Sequence, residues 1–537
     1  MRWLCFCLLL SLTSCVFYSG CGHTPIKIEH GSSAQDKTLT EEMLAQELGL
    51  SLEELKTQAV KLAYYLDNRK RHDISCPEEK KEAPLCKLVL RIEERGIAVE
   101  SSRRIRVPRA SQRNLDQLQS RPFQHAMMAL GRVRSEHVMK WSKKILAYDG
   151  CPRNITAAAI RKLEDQLPDK EAFQMMEAFY QKASECLKPT ENGYEVTHLR
   201  QGLLRLLFSD KKSAHDSFKL ASETQNPEER GRTLYWLGRL SDSSSEKSKY
   251  WNELLEKAPL TYHALLIWDE QKKDPLNILN SRPKVEIERD LKSIHPSQAN
   301  AIRWLEALYF EKRPGPADKL ASWISSDPDY ELPMELVLYI GTIKSNQINQ
   351  HNVIKFLTES IVQNPQFLNT QVLKLLFPTP YLEVYSKYTQ NVDMNILLGL
   401  SRQESAFNPK ARSRARAEGI MQVLPIVAKR KLGMKRKPNL YDVDTNVMVG
   451  SRLLRDWMKQ FGTIELALMA YNAGPNRVPE WRRRYPTDDM ALLADIVPFK
   501  ETRNYVASVM RNAFWYKRLY KDEEMIVGQK SLDPISE

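Results

Sequence analysis

One carboxylate stands out for where its helix would put it. Asp393 is placed to open a helix containing Met394, Leu397, Leu398 and Leu400. Counting from Leu397, Leu400 is i+3 and Glu404 is i+7, so this carboxyl shares the apolar face. Asn408-Pro409 is expected to end the helix about one turn later, because proline disfavours helical geometry at the residue before it. Glu404 then falls, partly buried, at the C-terminal end of a helix. Desolvation and the negative helix end both disfavour its charged form, so its pKa should rise. A carboxyl still protonated near neutral pH is what general-acid cleavage of a glycosidic bond requires. The competing role is structural: a glutamate paired with Arg402 or another arginine.

Other chemistries find no foothold. The chain has no HExxH, no GxSxG elbow and no P-loop. Asp442-Val443-Asp444-Thr445-Asn446 imitates the start of an EF-hand loop, but Val447 stands where that loop needs Gly and Leu453 replaces its terminal Glu. The ten His show no metal-ligand clustering. No metal and no cofactor are expected. Outside the leader, Cys76, Cys86, Cys151 and Cys186 form no CxxC pair. Proximity suggests Cys76–Cys86 and Cys151–Cys186 disulfides, one of three possible connectivities.

The elements that must hold such a site are helical. At 537 residues the chain carries several domains' worth of sequence, with 42% hydrophobic and 27% charged residues, the composition of a globular protein. Mean hydropathy is −0.49, and no apolar run is long enough to span a bilayer. From about Leu39 to Leu376 the apolar residues recur at helical spacing. Over residues 195–270 they fall into paired stretches separated by polar breaks at Gln225-Asn226-Pro227 and Ser241–Ser245, as in a helical solenoid. Pro378-Thr379-Pro380 then marks a boundary, since two such prolines cannot sit inside one continuing helix. The expected fold class is all-α. An export signal and lipobox over 1–21, a tether over 22–38, a superhelical domain over 39–376, a catalytic domain over 380–520 and a tail over 521–537 are the expected divisions.

The formal net charge is +13, and it is concentrated: residues 391–520 hold 23 Lys and Arg against 12 Asp and Glu. Such a surface favours a polyanionic partner such as acidic cell-wall polymer. Nucleic acid is not expected, because no zinc-finger, RNP-like or basic-zipper motif accompanies the charge. At the other end, Met1-Arg2-Trp3 and the run from Leu4 to Leu12 make the charged and apolar parts of a bacterial export signal. Leu12-Thr13-Ser14-Cys15 resembles a lipobox, with Cys15 the lipidated residue and Cys21 the alternative.

Residues 398–425 and 440–510 resemble the bacterial soluble lytic transglycosylases. Arg402-Gln403-Glu404-Ser405-Ala406-Phe407-Asn408-Pro409-Lys410 is similar to the family's first motif, and Gly419-Ile420-Met421-Gln422 to its second. Ala470-Tyr471-Asn472-Ala473-Gly474-Pro475 resembles the third, and Pro498 to Val506 the fourth. Fainter likenesses at Tyr262–Trp268 and Tyr381–Tyr385 point to the long Slt type, a helical superhelix carrying a goose-lysozyme-like domain. The resemblance implies cleavage of the β-1,4 bond between N-acetylmuramic acid and N-acetylglucosamine in peptidoglycan glycan strands. Glu404 would be acid and then base: the N-acetyl oxygen of the substrate would attack the anomeric carbon, and the deprotonated 6-hydroxyl would then close a 1,6-anhydro ring. Ser413, Met421, Gln422, Tyr471 and Asn472 would line the groove, with Glu501 assisting near Tyr471 or the sugar. For Tyr471, Met421 and Tyr505 the competing role is core packing. Where the family usually has Gly before Ala-x-Gly, this chain has Arg416. The expected place is the periplasm, with lipid anchoring to the outer membrane. The rivals are a muramidase using water on the same bond and a non-catalytic wall-binding scaffold.

Overall fold

The computed structural model describes residues 39–520 apart from 68–73, 75, 96–137, 147–152, 187–193, 225, 283, 286, 328, 346–349, 391 and 434–435. Cys15, Cys21 and Cys151 lie outside the described residues. Those described are α-helical, with no strand; the two isolated bridges, Arg412 to Glu418 and Glu418 to Val423, sit in one loop. No helix of the described residues is long and apolar enough to cross a membrane.

The chain forms two compact units. One comprises the described residues of Met1–Ile97 and Arg289–Leu332. Its Leu52–Asp67 helix buries Leu55, Ala59, Leu62 and Leu66, a single stripe at helical spacing. A disulfide joins Cys76 to Cys86, where the Pro84–Arg95 helix begins. Arg91 and Arg95, one turn apart on that helix, both reach Asp327, at 3.0 and 2.7 Å. The Pro296–Phe310 and Pro314–Ser325 helices both start on proline, whose missing N–H costs nothing in a first turn.

The other unit comprises the described residues of Ala98–Glu288 and Pro333–Glu537. Its first part is built of helical hairpins. Tyr194–Leu207 packs on Lys211–Ala221, and Pro227–Leu240 on Ser244–Lys257. The polar breaks expected from sequence are caps: Asn226 accepts from the N–H groups of Glu228 and Glu229, and Ser243 from that of Glu246. A glycine on the first helix of each hairpin makes room for an aromatic ring on the second. A Cβ at Gly202 would lie 2.6 Å from the Phe218 ring, and one at Gly238 only 2.3 Å from that of Trp251.

The second part of this unit begins after the Thr370–Leu376 helix, and the expected break at Pro378-Thr379-Pro380 is present. Asp393 caps the Met394–Ser405 helix as expected, accepting from Asn395 N–H at 2.7 Å. The helix stops before Asn408-Pro409. Ala406 and Phe407 turn into left-handed conformations (φ 46° and 64°), with their N–H groups bonded back to Arg402 and Ser401. Phe407 is fully buried, its ring edge-on to that of Tyr385 at 6.5 Å, a burial that offsets the cost of the left-handed turn.

Candidate active site

The Met394–Ser405 helix lies against the C-terminal helix, Lys500–Leu519, at an unusually close crossing. A Cβ at Gly399 would stand 2.9 Å from Ala513 N and 3.0 Å from Val509 O, so only glycine admits this approach. The crossing brings Tyr505 to Glu404: the Tyr505 hydroxyl donates to Glu404 Oε1 at 2.6 Å. Burial pushes the Glu404 carboxyl from 4.5 up to about 7. The Tyr505 hydrogen bond pulls the other way, and the negative charge of Glu501 adds to the rise. Near neutral pH this carboxyl is therefore divided between acid and base. Arg402 does not pair with it; its guanidinium donates instead to Leu376 O and to Asn512 Oδ1, both at 3.0 Å.

The loop 411–423 forms the second wall. Ser405 Oγ, next to Glu404, donates to Ile420 O at 2.7 Å and fastens the loop to the helix end. Gly419 (φ 81°) has Leu440 O only 2.0 Å from where a Cβ would be, so space and backbone both demand glycine. Asn446, fully buried on the Val443–Phe461 helix, holds the loop by two bonds of 2.8 Å, accepting from Met421 N–H and donating to Glu418 O, and ties it to Leu440 O by a third. Glu418, also buried, takes Lys437 at 2.8 Å. Arg416 is left-handed (φ 66°) and exposed, so the backbone turn that glycine would make freely is kept at a steric cost.

The other expected site residues divide into those near Glu404 and those that shape the loop. Tyr471, half-buried, donates to Met421 O at 2.9 Å, and the Glu404 charge helps to raise its pKa after burial. Trp457 meets the Tyr471 ring edge-on at 5.4 Å. Asn472 accepts from Thr502 Oγ1 at 2.7 Å. Glu501 is exposed in the first turn of the C-terminal helix and reaches Glu404 through its charge. Met421 is fully buried, and its sulfur fills the space Gly450 leaves open. Gln422 (φ 49°) turns its amide onto Gly419 O and Ala411 O, at 2.8 and 3.1 Å. Ser413, exposed, accepts from Ala417 N–H at 3.0 Å. Met421 and Gln422 thus brace the wall from within. Asp442, part of the EF-hand-like stretch, caps the Val443–Phe461 helix, and Asp444 binds Lys387 and Tyr388.

Sequence weighs Tyr505 only against core packing, without a role beside Glu404, and does not single out Thr502 or Asn446 as site residues. The first two lie within the fourth motif, one and two turns into an amphipathic helix, which was the available signal. Asn446 carries none beyond being a buried polar residue on an apolar face.

Residues 383–493 match the family model described as "Transglycosylase SLT domain". The soluble lytic murein transglycosylase of Salmonella typhimurium is 32% identical over 162 residues, 28% of this chain and 25% of that protein. The membrane-bound lytic murein transglycosylase C of Haemophilus influenzae is 26% identical over 270 residues, 42% of this chain and 73% of that protein. Among solved structures, an inactive mutant of the lytic transglycosylase Slt from Pseudomonas aeruginosa superposes with a TM-score of 0.52 at 17% identity, covering 90% of this chain and 87% of that one. This last likeness is one of fold. The match spans about a quarter of the length of the soluble relative.

Proposed function

We propose, from the transglycosylase SLT domain that residues 383–493 match, that this chain is a peptidoglycan lytic transglycosylase acting on the β-1,4 bond between N-acetylmuramic acid and N-acetylglucosamine. The observation that carries this reading is the Glu404 carboxyl, raised to about 7 by burial while its Oε1 accepts from Tyr505. Protonated Glu404 gives its proton to the glycosidic oxygen as the bond to the anomeric carbon breaks, and the substrate's N-acetyl oxygen takes up that carbon. Glu404, now a carboxylate steadied by the Tyr505 hydroxyl, removes the 6-hydroxyl proton. The freed oxygen displaces the acetamido oxygen and closes the 1,6-anhydro ring. No water and no enzyme nucleophile enter. A group that must be acid in one step and base in the next works best with a pKa near the working pH.

Ser413, Tyr471, Asn472 and Glu501 line the sugar side of this site, and residues 380–520 act as the catalytic domain. Its basic surface attracts the acidic polymer, and the helices of 39–376 add a second surface for long strands. The chain works in the cell envelope. The leader directs export, and acylation of Cys15 holds the mature protein at the outer membrane, where two or more chains suffice for stable anchoring.

The pH profile tests the acid. Cleavage of purified sacculi should fall above a midpoint near 7, as Glu404 loses the proton it must donate. In Tyr505→Phe the hydrogen bond that lowers this pKa is gone, so the falling limb should move to higher pH even as the maximal rate drops. An unmoved limb would detach Tyr505 from the acid. Lipidation has its own test. Labelled fatty acid should enter the parent protein but not Cys15→Ala, and label retained in Cys15→Ala but lost in Cys21→Ala would move the anchor to Cys21.

A further inference from the structure

Behind the Glu404 helix lies a cavity of about 350 Å³ whose charged lining is Arg402, Arg511, Lys257 and one carboxylate, Glu228. Arg402 and Glu404 are two residues apart on one helix, and so project from opposite sides of it. The cavity is therefore separate from the proposed glycan site. Ile361, Leu376 and Phe377 give it apolar walls, and Thr358 stands exposed at its mouth.

Arg402 lacks the anion that its buried setting calls for, and Arg511 has only a long contact to one carboxylate. Arg402 lies 4.5 Å over the Phe377 ring and donates to two neutral acceptors, Leu376 O and Asn512 Oδ1. No carboxylate pairs with it among the described residues. Arg511 leans on the same Asn512 oxygen, at 3.3 and 3.2 Å, and reaches one carboxylate, that of the half-exposed Glu228, at 3.4 Å. Burial, reinforced by the neighbouring Arg511 charge, pushes Arg402 down to about 10, so it stays cationic at neutral pH. Removing a guanidinium from water is costly without a counter-charge, and here Arg402 has only neutral acceptors while Arg511 shares one of them and meets Glu228 at 3.4 Å. A cavity opening onto them, walled by aliphatic and aromatic carbon, has the makeup of a small-molecule site.

We propose that this cavity binds a small amphipathic carboxylate, its head on Arg402 and Arg511 and its apolar body against Ile361, Leu376 and Phe377. A planar carboxylate suits paired guanidinium donors, and the apolar walls favour a hydrocarbon tail over a sugar. In the cell envelope such a group is offered by free fatty acids and by the terminal carboxylate of short peptides.

Titration calorimetry of the full chain tests this with three probes: decanoate, 1-decanol as its neutral counterpart, and N-acetyl-D-alanyl-D-alanine as a carboxylate on a polar body. Decanoate should bind at least tenfold more tightly than 1-decanol. Arg511→Gln should weaken decanoate at least tenfold. Thr358→Trp, at an exposed position that leaves the core intact, should do the same by closing the mouth. Tighter binding of the dipeptide than of decanoate, sensitive to both substitutions, would keep the carboxylate site and assign its source to a peptide terminus. Equal binding of decanoate and 1-decanol, no binding of either carboxylate, or decanoate binding unchanged in Thr358→Trp would each overturn the proposal.

Discussion

Glu404→Gln should leave the protein folded and able to hold glycan strands, and should reduce bond cleavage by on the order of 10²–10⁴-fold or more. The amide has the carboxyl's shape, and its oxygen can still accept from the Tyr505 hydroxyl, so the 2.6 Å contact that fixes the side chain survives. What disappears is the proton. An amide cannot deliver a proton, and among the described residues Glu404 is the carboxyl that burial raises to about 7. The wall formed by loop 411–423 is held by Asn446 and Ser405 and does not depend on Glu404 charge. Sedimentation with insoluble sacculi should therefore match the parent, while release of soluble fragments is nearly abolished. Retained cleavage would remove Glu404 from the mechanism, and lost binding would show that the substitution disturbs the groove.

The second large effect lies away from the chemistry. Asp495 is buried on the Met490–Ile496 helix and accepts from Arg232 at 2.7 Å, Trp236 at 2.8 Å and His263 at 2.8 Å. These partners sit on the Pro227–Leu240 and Tyr262–Glu270 helices, so one carboxylate ties the helical hairpins to the second part of the same unit. Burial alone would raise its pKa, but His263 and Arg232 more than offset this and hold it well below 3.8. Asp495→Ala takes the carboxylate from His263 and leaves buried Arg232 with Glu229 alone, at 3.0 Å. Breaking a buried ion pair from one side costs about 3–5 kcal/mol, and denaturant unfolding at pH 7 should show a loss of that order. The sign of the pH dependence follows from the depressed pKa. The stabilisation is complete above the unfolded value of 3.8 and is lost as pH falls below it. Parent and variant should thus converge in stability under acid. Equal stability at pH 7 would show that the cluster contributes nothing net.

What sequence made legible was local. The register that puts Glu404 on an apolar face depends on residues within two turns of it, and the Asp393 cap and the polar breaks at Asn226 and Ser243 are equally short-range. The Tyr505 bond to Glu404 was hidden because the two residues are 101 apart and meet through the close crossing at Gly399. Met421 and Gln422 were expected to face substrate. Both fold the loop, Met421 through a buried sulfur and a carbonyl, Gln422 through its amide, contacts that spacing alone does not reveal. The helix end illustrates competition between scales: Pro409 predicted a stop, but the buried Phe407 ring imposes one earlier. Domain layout was the least visible. Asn300 donates to Pro84 O across 216 residues, and no local pattern encodes that pairing.

The central claim is that Glu404 acts as acid and then base without admitting water, and the mass of the product tests it most directly. The full-length protein should be incubated with purified, peptide-free glycan strands, and the released fragments separated and weighed. The account predicts fragments ending in 1,6-anhydro-N-acetylmuramic acid, lighter by one water than the reducing-end fragments of hydrolysis, and none from Glu404→Gln. Reducing-end N-acetylmuramic acid as the main product would contradict it and make the protein a muramidase.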